Sequence, residues 1–206
     1  MRLVDVACGA SHTAAAGGGF VFTWGDDEWR QLGRRPGEDE ALRRVPRRVR
    51  ELVDPEEPVD RVACGEKHTA ALCTRTGAVW AWGCGASLGR RGGDDVAVPA
   101  RARNDAWERG GELPASVCCG DRFTVVVTQP AGRAYSWGAH ADGRLGGADH
   151  DLESPALVSQ EAFAGHEVAQ CVASAHSSAC CALVHGFSGT SERFSSISGT
   201  VAARAR

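Results

Sequence analysis

Two cysteine-histidine pairs have the residue types and spacing for chemistry: Cys8 with His12, and Cys64 with His68, each four residues apart. Thiolate and imidazole are zinc ligands in tetrahedral sites. A cysteine beside a histidine is also the pairing of a thiol nucleophile with its base. Yet the two pairs sit in copies of one octapeptide, VACGASHT from Val6 and VACGEKHT from Val62, and a third copy, VCCGDRFT from Val117, carries Phe123 where the imidazole should be. A ligand or a base is not replaced by a phenyl ring. The pairs therefore read as packing elements, with cysteine as a small hydrophobe and histidine hydrogen-bonding a turn. No P-loop, G-x-S-x-G or H-E-x-x-H occurs, so no catalytic, cofactor or metal residue is assigned and the chain reads as a non-enzyme.

The remaining candidates are recognition residues. Trp29 and Trp107 match no repeated aromatic position. Tryptophan is enriched at binding hot spots, although a loop tryptophan can also fold onto its own structural unit. Arg43, Arg44, Arg47, Arg48 and Arg50 form a basic cluster flanked by Glu38, Asp39 and Glu40 and by Asp54, Glu56 and Glu57. Such a cluster could meet phosphates or an acidic protein surface, while the acids on both sides favour a solvated, self-neutralised edge. Arg30, His140 and Asp142 join the set because they lie in the segments Asp26 to Arg30 and Ala139 to Gly143, which follow repeated Trp-Gly pairs.

The elements that position these residues are repeated too. Each octapeptide is followed by an aromatic run (FVFTWG from Phe20, VWAWG from Val79, AYSWG from Ala134) and then by QLG, SLG or RLG ending at Gly33, Gly89 and Gly146. A period of 53 to 58 residues points to small units that stack to bury their apolar faces. Phe20, Phe22 and Trp24 alternate, as do Trp80 with Trp82 and Tyr135 with Trp137. That parity places each set on one face of a strand and makes core packing a better account than ligand stacking. Pro46, Pro99 and Pro155 are expected to open a further strand in each copy, where no ladder donor is lost. Helical periodicity is not sustained; Pro46 interrupts its best stretch, Ala41 to Leu52. The fold class is all-β, with units of four short antiparallel strands.

These motifs resemble the regulator of chromosome condensation repeat family. Val6, Gly9, His12 and Thr13, and Val62, Gly65, His68, Thr69, Ala71 and Leu72, match its first segment. Gly77, Val79, Trp82 and Gly83, with Gly132, Trp137 and Gly138, match the second; Gln31, Leu32 and Gly33, with Gly143, Leu145 and Gly146, match the third. The resemblance implies a β-propeller, classically of seven blades. Kelch and WD-type propellers have similar periods, but their signature doublets do not occur. For function, the resemblance implies a protein-interaction scaffold or, as the alternative, guanine-nucleotide exchange on a Ran-type small GTPase. A protein partner, with small GTPases among the candidates, is therefore expected.

The blades are expected at about 3-57, 58-112 and 113-165, with a partial fourth at 166-185 that begins in register at Val168, Ala173, His176 and Ser177. Residues 186-206, rich in Ser, Gly and Arg, are expected to be disordered. Three blades and part of a fourth make an incomplete ring whose open flanks invite self-association. A fragment of a larger repeat protein is the favoured explanation, ahead of closure by dimerisation or capping by another protein. Net charge is only −3, which does not favour direct nucleic-acid contact. No apolar run reaches membrane-spanning length, and no signal peptide is recognised. Nine cysteines, odd in number and without C-x-x-C, suit a reducing compartment, so the cytoplasm or nucleus is expected.

Overall fold

The computed structural model describes residues 1–35, 43–52, 56–88, 96–102, 104, 107, 111–163, 166–177, 180–185 and 194–196. Its strands fall into four antiparallel sheets in chain order. The first holds β1 (Leu3–Cys8), β2 (His12–Gly17), β3 (Phe20–Gly25) and β4 (Arg47–Arg48). The second holds β5 (Arg61–Cys64), β6 (His68–Cys73), β7 (Ala78–Gly83) and β8 (Val96–Ala102). The third holds β9 (Leu113–Cys119), β10 (Phe123–Gln129), β11 (Ala134–Gly138) and β12 (Leu152–Leu157), and the fourth holds β13 (Glu167–Ala173), β14 (Cys180–His185) and β15 (Phe194–Ser196). Each sheet is an up-and-down meander, a propeller blade. The first strands β1, β5, β9 and β13 line one concave cleft of about 580 Å³, so the blades fan outward from it.

The apolar cores lie between blades. Ala14, Ala16, Val21 and Val49 of blade 1 meet Val62, Cys64, Ala71 and Trp82 of blade 2. Leu72, Val79 and Ala102 of blade 2 meet Val126, Tyr135 and Trp137 of blade 3. Phe123, Val125, Val127 and Leu145 of blade 3 meet Val168 and Cys171 of blade 4. A middle strand is thus covered on both faces, which is why β6 is buried at every residue. Trp82 and Trp137 are fully enclosed. At about 150–250 Å² per ring and about 25 cal/mol per Å², each contributes roughly 4–6 kcal/mol of gross transfer free energy.

Three expectations change. Pro46 does precede β4, but Pro99 and Pro155 lie inside β8 and β12. Both are outermost strands with one unpaired edge, where a missing N–H costs no ladder bond. Within the segment expected to be disordered, Phe194–Ser196 pairs with β14 (Leu183 with Phe194, Cys181 with Ser196). Poor apolar content limits what a segment can order alone; a free strand edge supplies backbone partners whatever the side chains. The rest of 186–206 lies outside the described residues. Finally, His176 does not open β14 as His12 and His68 open β2 and β6. It sits exposed in the turn before β14, which begins at Cys180.

Candidate interaction face

The repeated motifs converge on one bonding pattern at the first two seams between blades. His12 Nε2 lies 2.8 Å from Thr69 Oγ1 of the next blade. The Thr69 hydroxyl donates to the Gln31 carbonyl at 2.8 Å, and so does Trp82 Nε1 at 2.8 Å. At the next seam His68 Nε2 lies 3.0 Å from Thr124 Oγ1, and Thr124 Oγ1 and Trp137 Nε1 donate to the Ser87 carbonyl at 3.0 and 2.9 Å. The His-Thr, Trp-Gly and Gln-Leu-Gly segments are therefore parts of one inter-blade latch.

This geometry settles the histidine tautomers. A carbonyl can only accept, so each threonine hydroxyl hydrogen is committed to it, and the imidazole must donate through Nε2–H. Nδ1 is then an unprotonated atom, buried without a hydrogen-bond partner in both rings. Burial lowers His12 to about 4 and His68 to about 3, so both rings are neutral at pH 7. The glycines of the octapeptides make room for these rings: a Cβ at Gly65 would lie 2.2 Å from the His68 ring and one at Gly120 1.9 Å from Phe123. Of the two thiols only Cys64 takes a packing position, its Sγ directed at the Ala7 carbonyl at 3.4 Å; Cys8 is exposed, because no blade covers that side of β1.

With the repeated residues occupied in this way, the variable ones collect on one side. The turns between first and second strands are tied to the segments leaving the third strands by Asp26 N to Ser11 O at 2.9 Å, Cys84 N to Lys67 O at 2.9 Å and Ala139 N to Arg122 O at 2.8 Å. Across this side runs an unbroken series of contacts. Lys67 Nζ lies 4.6 Å from the Trp29 ring centroid and 3.6 Å from Glu66. The Glu66 carboxyl neighbours that of Asp121 across the seam, and this acidic neighbour raises Glu66. Arg144, its side chain buried, bridges Asp121 and Asp142 at 3.0 Å each. Residues from three blades are thereby joined edge to edge.

Of the candidates from sequence, Trp29, Arg30, His140 and Asp142 belong to this face. Trp29 is half-buried, Arg30 and Asp142 adopt positive φ (64° and 60°), and exposed His140 is 2.7 Å from Asp151. Arg43 lies near enough to Asp27 to oppose the rise that burial imposes on that carboxyl. Arg44 is exposed in the turn before Pro46, and Arg47 and Arg48 lie on the outer strand β4, with the Arg48 guanidinium 3.5 Å over the Phe20 ring. The arginines thus divide between the face and the outer rim of blade 1. Trp107 leaves the candidate set. It is 5% exposed, edge-on to Tyr135 at 5.3 Å and tilted against Trp137 at 6.4 Å, and fills the seam between blades 2 and 3. Sequence reasoning missed Glu66, Lys67, Asp121 and Arg144. Their signal is an acid-base pair, Glu66-Lys67 and Asp121-Arg122, at the repeat positions where the first copy has Ala10-Ser11, and Arg144 where the other copies have Gln31 and Ser87.

Comparison with known proteins agrees with this architecture. The regulator of chromosome condensation repeat model matches residues 18–72, and a second model of the same repeat matches 59–87. The E3 ubiquitin-protein ligase HERC2 of Homo sapiens is 33% identical over 163 residues, 76% of this chain and 3% of that protein. The probable E3 ubiquitin-protein ligase HERC4 of Mus musculus is 32% identical over 157 residues, 75% of this chain and 14% of that protein. Among solved structures, human WBSCR16 superposes with a TM-score of 0.72 at 24% identity, covering 89% of this chain and 45% of its own. Prp20p from Saccharomyces cerevisiae, whose binding properties to Gsp1p and histones are described, gives 0.73 at 20% identity, covering 94% and 45%. The chain thus spans less than half of each of these proteins. Repeat matches over 18–87, relatives a third identical over three quarters of the chain and the shared blade architecture together place this chain in the regulator of chromosome condensation repeat family, with three four-stranded blades and part of a fourth described.

Proposed function

We propose that these blades are a protein-interaction scaffold and that the partner docks on the face carrying Trp29, Arg30, Lys67, His140 and Asp142. The observation that carries this reading is the series of contacts from Trp29 to Asp142, which crosses three blades through residues that differ from copy to copy. Variable side chains on a rigid frame are the usual seat of recognition. Half-buried tryptophan and fixed arginine suit a protein surface better than a small molecule. Ligase activity is a property of the whole HERC proteins, of which this chain matches 3 to 14%.

Quantitative affinity capture with the wild-type chain, a Trp29→Ala/His140→Ala variant and an Arg61→Ser variant in the concave cleft tests the proposal. Binders should be lost from the face variant and retained by the cleft variant. Equal capture by all three would contradict it.

A second reading, exchange activity on a Ran-type small GTPase, is favoured by the likeness to Prp20p and its binding to Gsp1p. An exchange factor stabilises the nucleotide-free GTPase and so shifts a binding equilibrium. Faster release of fluorescent GDP from a Ran-type GTPase would support this reading. Unchanged release would remove it and leave the scaffold reading standing.

A further inference from the structure

Blade 4 is attached without the latch used at the other two seams. The latch histidine comes from the earlier blade, and in blade 3 that position is Phe123, which has no ring nitrogen to offer. Instead, the inner strands β9 and β13 bring Ser116, Cys118 and Cys171 together. Cys171 N–H donates to Ser116 Oγ at 3.5 Å, and the same oxygen lies 3.6 Å from Cys171 Sγ. The Cys171 thiol points at the Val125 carbonyl at 3.6 Å. That carbonyl can only accept, so the thiol hydrogen goes to it, leaving the sulfur to accept from Ser116 O–H. Cys118 lies in the same buried cluster as Cys171 and lines the same cleft.

Cys171 thus donates to one carbonyl and accepts from one hydroxyl. Neighbouring Cys118, followed by the hydroxyl of Ser116, holds the Cys171 thiol below the ordinary range, although burial acts the other way. Cys64, buried two seams away, is pushed up to about 12 by desolvation. Cys118 and Cys171 are 5% and 3% exposed, and both border the concave cleft. A small oxidant can reach such a site where a bulky reagent cannot.

We propose that Cys118 and Cys171 form a peroxide-oxidisable dithiol whose disulfide ties the first strand of blade 4 to the first strand of blade 3. The Cys171 thiolate attacks a hydroperoxide oxygen, so an S–O bond forms and the O–O bond breaks. The leaving oxygen takes up the proton lost by Cys171 and departs as water or, from an organic peroxide, as an alcohol. Cys118 then attacks the sulfenic sulfur: the S–S bond forms, the S–O bond breaks, and hydroxide leaves with the Cys118 proton as water. Two thiols are oxidised and one peroxide is reduced.

The full chain treated with hydrogen peroxide should lose the mass of two hydrogens and two alkylatable thiols, with both restored by dithiothreitol. Peptide mapping should join Cys118 to Cys171, and the joined peptide should disappear in Cys118→Ser and Cys171→Ser. Hydrogen exchange in residues 167–173 should slow on oxidation of the wild-type chain, a readout that does not depend on the variants folding. Sulfinic acid at either cysteine without a cross-link, a bridge from Cys171 to another cysteine, or unchanged exchange in β13 would overturn the proposal.

Discussion

His12 and His68 carry the clearest consequences of burial for single residues. Each ring is neutral when folded, with Nε2–H donated and Nδ1 bare. Because the folded pKa is depressed, the unfolded chain binds more protons between the two values, and stability rises with pH across that window. The contribution is complete above the unfolded value of 6.5 and is lost as pH falls toward about 4 for His12 and about 3 for His68. For His12 that is about 3 kcal/mol, at about 1.4 kcal/mol per pH unit. Urea unfolding followed from pH 8 to pH 4 should therefore show a steep loss below pH 6.5, and His68→Phe should flatten it. Phenylalanine is tolerated at the matching position in blade 3, so that variant should fold. A Gly65→Ala change should cost more than a surface substitution, since its Cβ would press on the His68 ring at 2.2 Å. The sequence already favoured a packing role for these histidines, because Phe123 broke the pattern. Their threonine partners were not legible, since those bonds join residues 56 or 57 apart in different copies.

Among the elements, the middle strands were readable and the edges were not. Aromatic alternation in β3, β7 and β11 depends only on the period of a strand, which any single copy displays. Register within the fourth blade depends on turn length. The longer turn between β13 and β14 carried His176 out of line although its sequence spacing matched. Trp107 escaped for a related reason: its partners Tyr135 and Trp137 belong to the next blade, and no repeat position announced the contact. The blades should also differ in dynamics. Without an imidazole latch, β13 and β14 should exchange amide hydrogens faster than β6 and β10 in native-state hydrogen exchange. Equal protection in all four strands would show that the latch adds little to blade attachment.

At the scale of the molecule, the first blade presents an apolar flank. Leu3, Val4 and Val6 on β1 are more than half exposed, and Thr13 and Trp24, the counterparts of Thr69 and Trp82, are only half-buried. A stacked blade array needs such a face covered. The chain is therefore expected to associate through it, and Val6→Lys should shift sedimentation toward the monomer at concentrations where the wild type assembles. The same stacking explains why the interaction face spans blades at all: each latch fixes the angle between neighbours, so loops from three copies can act as one surface. The repeated residues are thus used in joining blades. A double-mutant cycle between His68→Phe and Thr124→Val, read by urea unfolding at pH 8, measures that joining. A coupling of about 1 kcal/mol between two residues 56 positions apart is expected. Strict additivity of the two changes would contradict it.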